Sequence, residues 1–266
     1  VRIDGKNIPF GGACNRYYNL HRNIRVDAAA LDLVKKRQDI ILGSAPEARR
    51  KEPGARSRPT VGINRSFLFH ACYPLYAAFF DDLGFDVCVP DAPSHKGIAQ
   101  RGAPFCYPAE LSHGFFHRLI DAPPPPDYLF LPHIKALPSQ HPADKAWLCP
   151  FVQAEPYFLT TTFRRLLARS GITSGRILKP VLDLTHGLSA ARAPLLKIAR
   201  QMGRSRRRAE AAFDRALGAQ NECMRQIQQL GRHALQTLAD DPERMAAVIF
   251  GRPYNAWASD AHMGIP

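Results

Sequence analysis

Nowhere in the 266 residues does an apolar run approach the ~20 needed for a helix to cross a bilayer. The six cysteines include no CxxC pair, so neither a simple zinc ribbon nor a thioredoxin-type redox pair is indicated. There is no GxxxxGK[ST] loop and no other complete phosphate-binding motif, so the sequence carries no signature of a nucleotide-hydrolysing site. Aromatic-rich RNA-binding patterns, zinc-finger spacing and a helix-turn-helix signature are missing as well, and these disfavour nucleic acid as a partner. No internal repeat is evident. The sequence opens on Val1 without a charged-then-apolar leader, so the expectation is a cytoplasmic protein with reduced thiols. It stops at Gly264-Ile265-Pro266, just after what reads as a strand and a loop. Both ends suggest a segment of a longer α/β chain.

What is present is an ordinary globular balance, 45% hydrophobic and 22% charged. The formal net charge is +13. Such an excess can attract nucleic acid, an acidic partner or an anionic substrate such as a CoA phosphate. The basic residues cluster at Arg49 to Lys51, Arg56 to Arg58 and Arg204 to Arg208, and the plainer reading of such runs is a solvated face.

Periodicity and punctuation give the organisation. Residues 1–58 read as an N-terminal segment and basic linker. Within them Asp27 caps a helix running to about Leu42, with Leu31, Val34 and Ile41 on its apolar side. Residues 59–188 read as an α/β domain. Its strands are expected at Thr60–Ile63, Phe85–Pro90, Tyr128–Pro132, Trp147–Val152 and Leu178–Leu184. Its helices are expected at Tyr73–Leu83, Pro108–Ile120 and Tyr157–Ser170. Residues 189–266 read as a helical segment, broken at Gly203, that leads into a strand at Ala246–Gly251 and the start of a second α/β unit. In its second helix, Ala209, Phe213, Ala216, Met224, Ile227, Leu230, Ala234 and Leu238 mark one face. Short apolar strands alternating with helices predict a doubly wound, mainly parallel sheet with ligands at the carboxyl ends of its strands.

Several motifs then become familiar. Val61-Gly62-Ile63-Asn64-Arg65, Tyr73-Pro74 and Phe79 to Phe85, followed by Cys106-Tyr107-Pro108-Ala109-Glu110-Leu111-Ser112-His113-Gly114, stand in one order. Cys149-Pro150-Phe151-Val152-Gln153 and Gly251-Arg252-Pro253-Tyr254-Asn255 with Gly264-Ile265-Pro266 complete it. Together they resemble the uncharacterised domain of acyl-CoA dehydratase activase-related proteins, over about residues 8–266. The resemblance implies a Rossmann-like, dehydratase-component-like fold within the 2-hydroxyglutaryl-CoA dehydratase system. It also implies a [4Fe–4S] cluster, and either ATP-driven low-potential electron transfer or 2-hydroxyacyl-CoA dehydration. The activity would be that of a lyase or of an ATP-dependent reductase component. ATP would enter only through a neighbouring activase domain or subunit. The other partners implied are an acyl-CoA thioester or small molecule and a second copy of the chain. The alternative is a non-catalytic docking or regulatory domain.

On this resemblance Cys106 and Cys149 are the preferred cluster ligands, since thiolates are soft, charge-donating donors, and Cys14 is the third. Read without it, Cys106 and Cys149 are more readily small buried hydrophobes, and Cys14 is as readily part of a structural turn. Cys72, Cys88 and Cys223 read as core. Glu110 and His113, three apart, share a helix face and could form an acid/base pair or merely a surface hydrogen bond. His186 could reach the same cleft or cap a loop. Arg252, with Tyr254 and Asn255, is a cofactor-binding candidate whose guanidinium could hold a carboxylate or phosphate, or could fix its own loop.

Overall fold

The computed structural model describes residues 2–3, 5–7, 22–23, 27–44, 58–102, 106–139, 146–243 and 245–262. The chain divides into two units, residues 1–33 and 34–266. The first holds a short antiparallel pair, β1 (Arg2–Ile3) and β2 (Lys6–Asn7), and a helical turn, α1 (Ala28–Leu31). Asp27 caps α1 as expected, accepting from the Ala30 N–H at 3.1 Å. The expected continuous helix is interrupted at Asp32, and Leu31 is exposed. The chain resumes as α2 (Leu33–Gly43), whose buried residues are Gln38 and Ile41.

The second unit is a layered α/β structure. β3 (Thr60–Ile63) leads to α3 (Phe69–Asp82), which begins four residues earlier than its apolar run suggested. Gly84, at φ 87°, stops it, because the left-handed backbone there suits a residue without Cβ. Then follow β4 (Asp86–Cys88), the short α4 (His95–Ile98) and α5 (Tyr107–Ile120). The strand expected at 128–132 forms as β5 (Tyr128–Phe130), and a further strand that the sequence reading did not place, β6 (His133–Ala136), follows Pro132. The expected strand at 147–152 is instead the start of a helix. Trp147 makes one bridge to Ala136, and α6 (Pro150–Thr162) follows, with α7 (Arg164–Arg169) behind it. Proline suits a helix's first turn, and burial at Val152, Glu155, Pro156 and Leu159 has helical spacing. The strand expected at 178–184 is divided, by Pro180, into β7 (Ile177–Leu178) and β8 (Val181–Asp183). A proline has no N–H to give a ladder. The pairing nevertheless carries on past both prolines, since Leu131 N–H bonds Leu178 O and His133 N–H bonds Pro180 O, each at 2.9 Å.

β4-β3-β5-β7 form one parallel sheet in that order, and β6-β8 a parallel pair beyond it. The first strand, β3, has its successor on one side and β5 on the other, so the order reverses between β3 and β5. Two separate cores flank the sheet. Val61, Ile63, Phe130 and Leu178 face α3 and the two later helices, α8 (Arg192–Gln201) and α9 (Arg206–Ala239). Leu129 and Ile177 face α5, α6 and α7. Gly62 also faces α5: a Cβ there would stand 3.3 Å from Leu119 and 2.9 Å from Pro126.

Gly203, at φ 76°, separates α8 from α9 as expected. Only the first part of α9 is core. Ala209, Ala212, Phe213, Ala216, Gln220 and Cys223 are buried, while Met224, placed on the apolar face by sequence, is exposed. The Arg204–Arg208 run is not simply a solvated face. Arg204 Nε donates to Leu83 O at 2.9 Å with its guanidinium 4.4 Å from the Phe85 ring, and Arg208 Nη2 donates to Asp82 O at 3.3 Å. These cations satisfy carbonyls at the end of α3, where the helix dipole is negative. The strand expected at 246–251 is not formed. That stretch pairs with no described strand, and Met245, Val248 and Phe250 are exposed. α10 (Pro253–Ala256) follows. No described helix is long and apolar enough to cross a membrane.

Candidate functional site

Cys106 and Cys149 occupy the same structural position. Each is the N-cap of a helix with proline in the first turn, Cys106 for α5 and Cys149 for α6. Neither side chain makes the capping hydrogen bond that Ser or Asp would make there, so the sulfurs are not committed to their own helices. Both are half-buried against the same apolar core.

Contacts between α5 and α6 fix their relative direction. Ser112 Oγ donates to Glu155 Oε1 at 2.8 Å. Further on, His113 stacks on Phe158 with centroids 5.0 Å apart, and Phe116 meets Phe163 at 5.6 Å. The pairs advance together along both helices, so the helices are parallel and their N-termini lie at one end. Ser112 and Glu155 each stand six residues after their N-cap cysteine, about 9 Å of helix at 1.5 Å per residue.

Arg252 joins this end. Its Nη1 donates to the Tyr254 hydroxyl at 3.0 Å, and the guanidinium also lies within reach of the Cys149 thiol. Tyr254 and Cys149, in that order of strength, hold the Arg252 proton more firmly than usual. Tyr254 is buried, edge-on to Phe67 at 5.5 Å. Asn255 is exposed, and its backbone N–H bonds Arg252 O at 2.9 Å. Of the expected residues, the structure therefore brings together Cys149, Arg252 and Tyr254, and sets Cys106 on the parallel neighbouring helix. Cys14 lies outside the described residues.

Other candidates sit elsewhere. Glu110 pairs with Arg101 at 3.3 Å. His113 is buried, its Nδ1 2.7 Å from Ala109 O, and burial pushes its pKa down. His186 is exposed on the turn after β8, where Thr185 rather than His186 bonds Asp183. Cys72 and Cys223 are buried as expected, burial raising the Cys72 thiol to about 11. Cys88 is half-buried in β4. Among the described residues, no three His, Cys, Asp or Glu side chains group as a metal site.

One site residue escaped the sequence reading. Glu155 is fully buried on α6, and its Oε1 accepts from Asn64 Nδ2 at 2.8 Å, Ser112 Oγ at 2.8 Å and Ser66 Oγ. Asn64 and Ser66 belong to the loop leaving β3, beside the reversal in strand order, and Phe67 next to them has a left-handed φ of 44°. Burial pushes the Glu155 carboxyl above its usual range against the opposing pull of these hydrogen bonds. A helical reading of residues 150–162 would have placed Glu155 on the buried face.

A family model described as the CoA enzyme activase uncharacterised domain matches residues 60–266. Neither a curated protein nor a solved structure matches the chain.

Proposed function

The chain belongs to the CoA enzyme activase-related family, and from that premise we propose that it is a thiolate-bearing redox module of an acyl-CoA dehydratase/activase system. The observation that supports this is the parallel register of α5 and α6, which puts the N-cap cysteines Cys106 and Cys149 at one end of a helix pair. Two soft sulfur donors, half-buried beside the positive ends of two helices, suit an iron–sulfur cluster in kind. They do not complete one in number, and a cluster with one open iron takes a third thiolate, for which Cys14 is the candidate by resemblance.

On this reading Cys106 and Cys149 hold the cluster. Arg252, fixed by Tyr254, sets a positive charge beside Cys149, where it offsets thiolate charge or meets an anionic ligand. The Rossmann-like sheet supplies the rigid frame. When bound, the cluster would supply one-electron transfer, fed by an activase-type ATPase partner, with an acyl-CoA thioester as the substrate class. The test is iron and acid-labile sulfide analysis of anaerobically purified protein. The reading expects both elements in the wild type and their loss in Cys106→Ala and in Cys149→Ala, with Cys14→Ala reporting on the third ligand. Wild-type protein free of iron and sulfide would end the proposal.

One observation favours a docking role instead, the exposure of Met245 (93%), Val248 (73%) and Phe250 (92%) in a single stretch. Wild-type protein that binds an ATPase partner without holding iron or sulfide, and a Phe250→Asp variant that loses that partner, support that role.

A further inference from the structure

A small cavity lies where β3 ends, at the reversal in strand order. It is lined by Asn64, Ser66, Tyr76 and Glu155 together with apolar residues such as Phe130 and Ile134. Its volume is about 20 Å³, enough for one water by the usual measure of ~10–15 Å³. Two of the buried polar atoms in its wall have no hydrogen-bond partner, Asn64 Oδ1 and the Tyr76 hydroxyl. Both residues are more than nine-tenths buried. The Tyr76 hydroxyl does lie beside the Cys72 sulfur, a weak acceptor that leaves most of its capacity unused.

We propose that this cavity is a built site for a single water molecule, and that Glu155 faces it as a neutral carboxylic acid donating its proton to that water. The hydrogen-bond inventory closes on that arrangement. Asn64 Nδ2, Ser66 Oγ and Ser112 Oγ all donate to Oε1, so in the acid form Oε1 is the carbonyl oxygen and the proton resides on Oε2. The water accepts from Oε2–H and from the Tyr76 hydroxyl, and donates to Asn64 Oδ1. Each unpartnered atom is then satisfied, as buried polar groups normally are. An ionised Glu155 would keep these three donors but would sit in the interior with no cation among the groups facing it, and burial outweighs the donors' pull.

The groups facing Glu155 are Asn64 and Ser66 from the β3 loop, Ser112 from α5, and Tyr76 from α3 with Cys72 behind it. Of these only Tyr76 and Cys72 ionise, and burial raises both, so each is neutral when Glu155 titrates. The proton is thus held at the edge where sheets of this kind receive ligands. The inference rests on the cavity and its wall, and stands whether or not a cluster binds at Cys106 and Cys149.

A high-resolution crystal structure of the whole chain, paired with infrared spectra against pH, tests it. Expected are water density within ~2.5–3.2 Å of Asn64 Oδ1 and Tyr76 Oη, and a carboxylic-acid carbonyl band absent from Glu155→Gln. That band should persist at pH values where exposed glutamates, with pKa about 4.3, have ionised. Should Glu155→Gln fail to fold, Tyr76→Phe serves, because the band must shift when the water loses a partner. A dry cavity, a cation at coordination distance, a band that vanishes with the exposed carboxyls, or a band unmoved by Tyr76→Phe overturns the proposal.

Discussion

Replacing Glu155 separates a buried acid from an ordinary hydrogen-bond acceptor. Gln keeps a carbonyl oxygen for Asn64, Ser66 and Ser112, and presents N–H where the acid presents O–H. Ala keeps neither. In Glu155→Ala the two serine hydroxyls can rotate to new acceptors, and Asn64 Nδ2 retains Ser112 O at 3.3 Å. About one donor is left stranded, at ~1–3 kcal/mol. The void adds to this, so roughly 2–4 kcal/mol of stability should go. Glu155→Gln should lie within ~1 kcal/mol of wild type near pH 4. The two then diverge. Glu155 is raised in the folded state, so the folded protein binds this proton more tightly than the unfolded chain. Its contribution is fully present below the unfolded pKa of about 4.3 and is lost as pH rises toward the folded value. The slope is at most ~1.4 kcal/mol per pH unit. Urea midpoints measured from pH 4 upward should therefore show Glu155→Gln gaining on wild type, other groups cancelling between them. Parallel curves for the two proteins would refute the buried-acid reasoning.

Further consequences are open to measurement. Gly97→Ala would set a Cβ 2.5 Å from His117 Cβ and 2.7 Å from His113 O, prying α4 from α5, and should cost ~1–3 kcal/mol in thermal unfolding. Arg204→Ala removes a bond to Leu83 O and the cation over Phe85, and should cost ~1–2 kcal/mol by urea titration, whereas Arg206→Ala, paired with Glu210 on the surface, should change stability little. His70 is buried with its pKa lowered to about 3, by burial first and then by Arg65 and Arg37. Its depressed value contributes stability above the unfolded pKa near 6.5 that is lost as pH falls toward 3. NMR should find its ring still neutral at pH 5, and His70→Gln should flatten the acid limb of the stability curve.

The layered α/β plan could be read from the sequence because buried parallel strands are short apolar runs, and Thr60–Ile63 even has the expected limits. Helix ends marked by chemistry also came through: Asp27 as a cap, Gly84 and Gly203 as stops. What failed depended on long-range partners. Phe151-Val152 is apolar in strand or helix alike, and Pro150 decides for helix. Pro180, which has no N–H to give a ladder, divides one expected strand into β7 and β8. Residues 246–251 look like a strand but have no described neighbour to pair with. The Arg204–Arg208 run looked like solvated charge because the carbonyls it caps lie some 120 residues away in sequence. Within the site, the cysteine motifs were legible as motifs, while their shared N-cap position and the Asn64–Ser66–Ser112–Glu155 cluster emerge only when α5 and α6 pack side by side.

The most direct test of the redox assignment is anaerobic EPR of the dithionite-reduced protein, in wild type and in Cys106→Ala and Cys149→Ala. A cluster signal that disappears in both variants, while their folds survive by circular dichroism, is the predicted result. A wild type without signal, or a signal indifferent to either substitution, would contradict it.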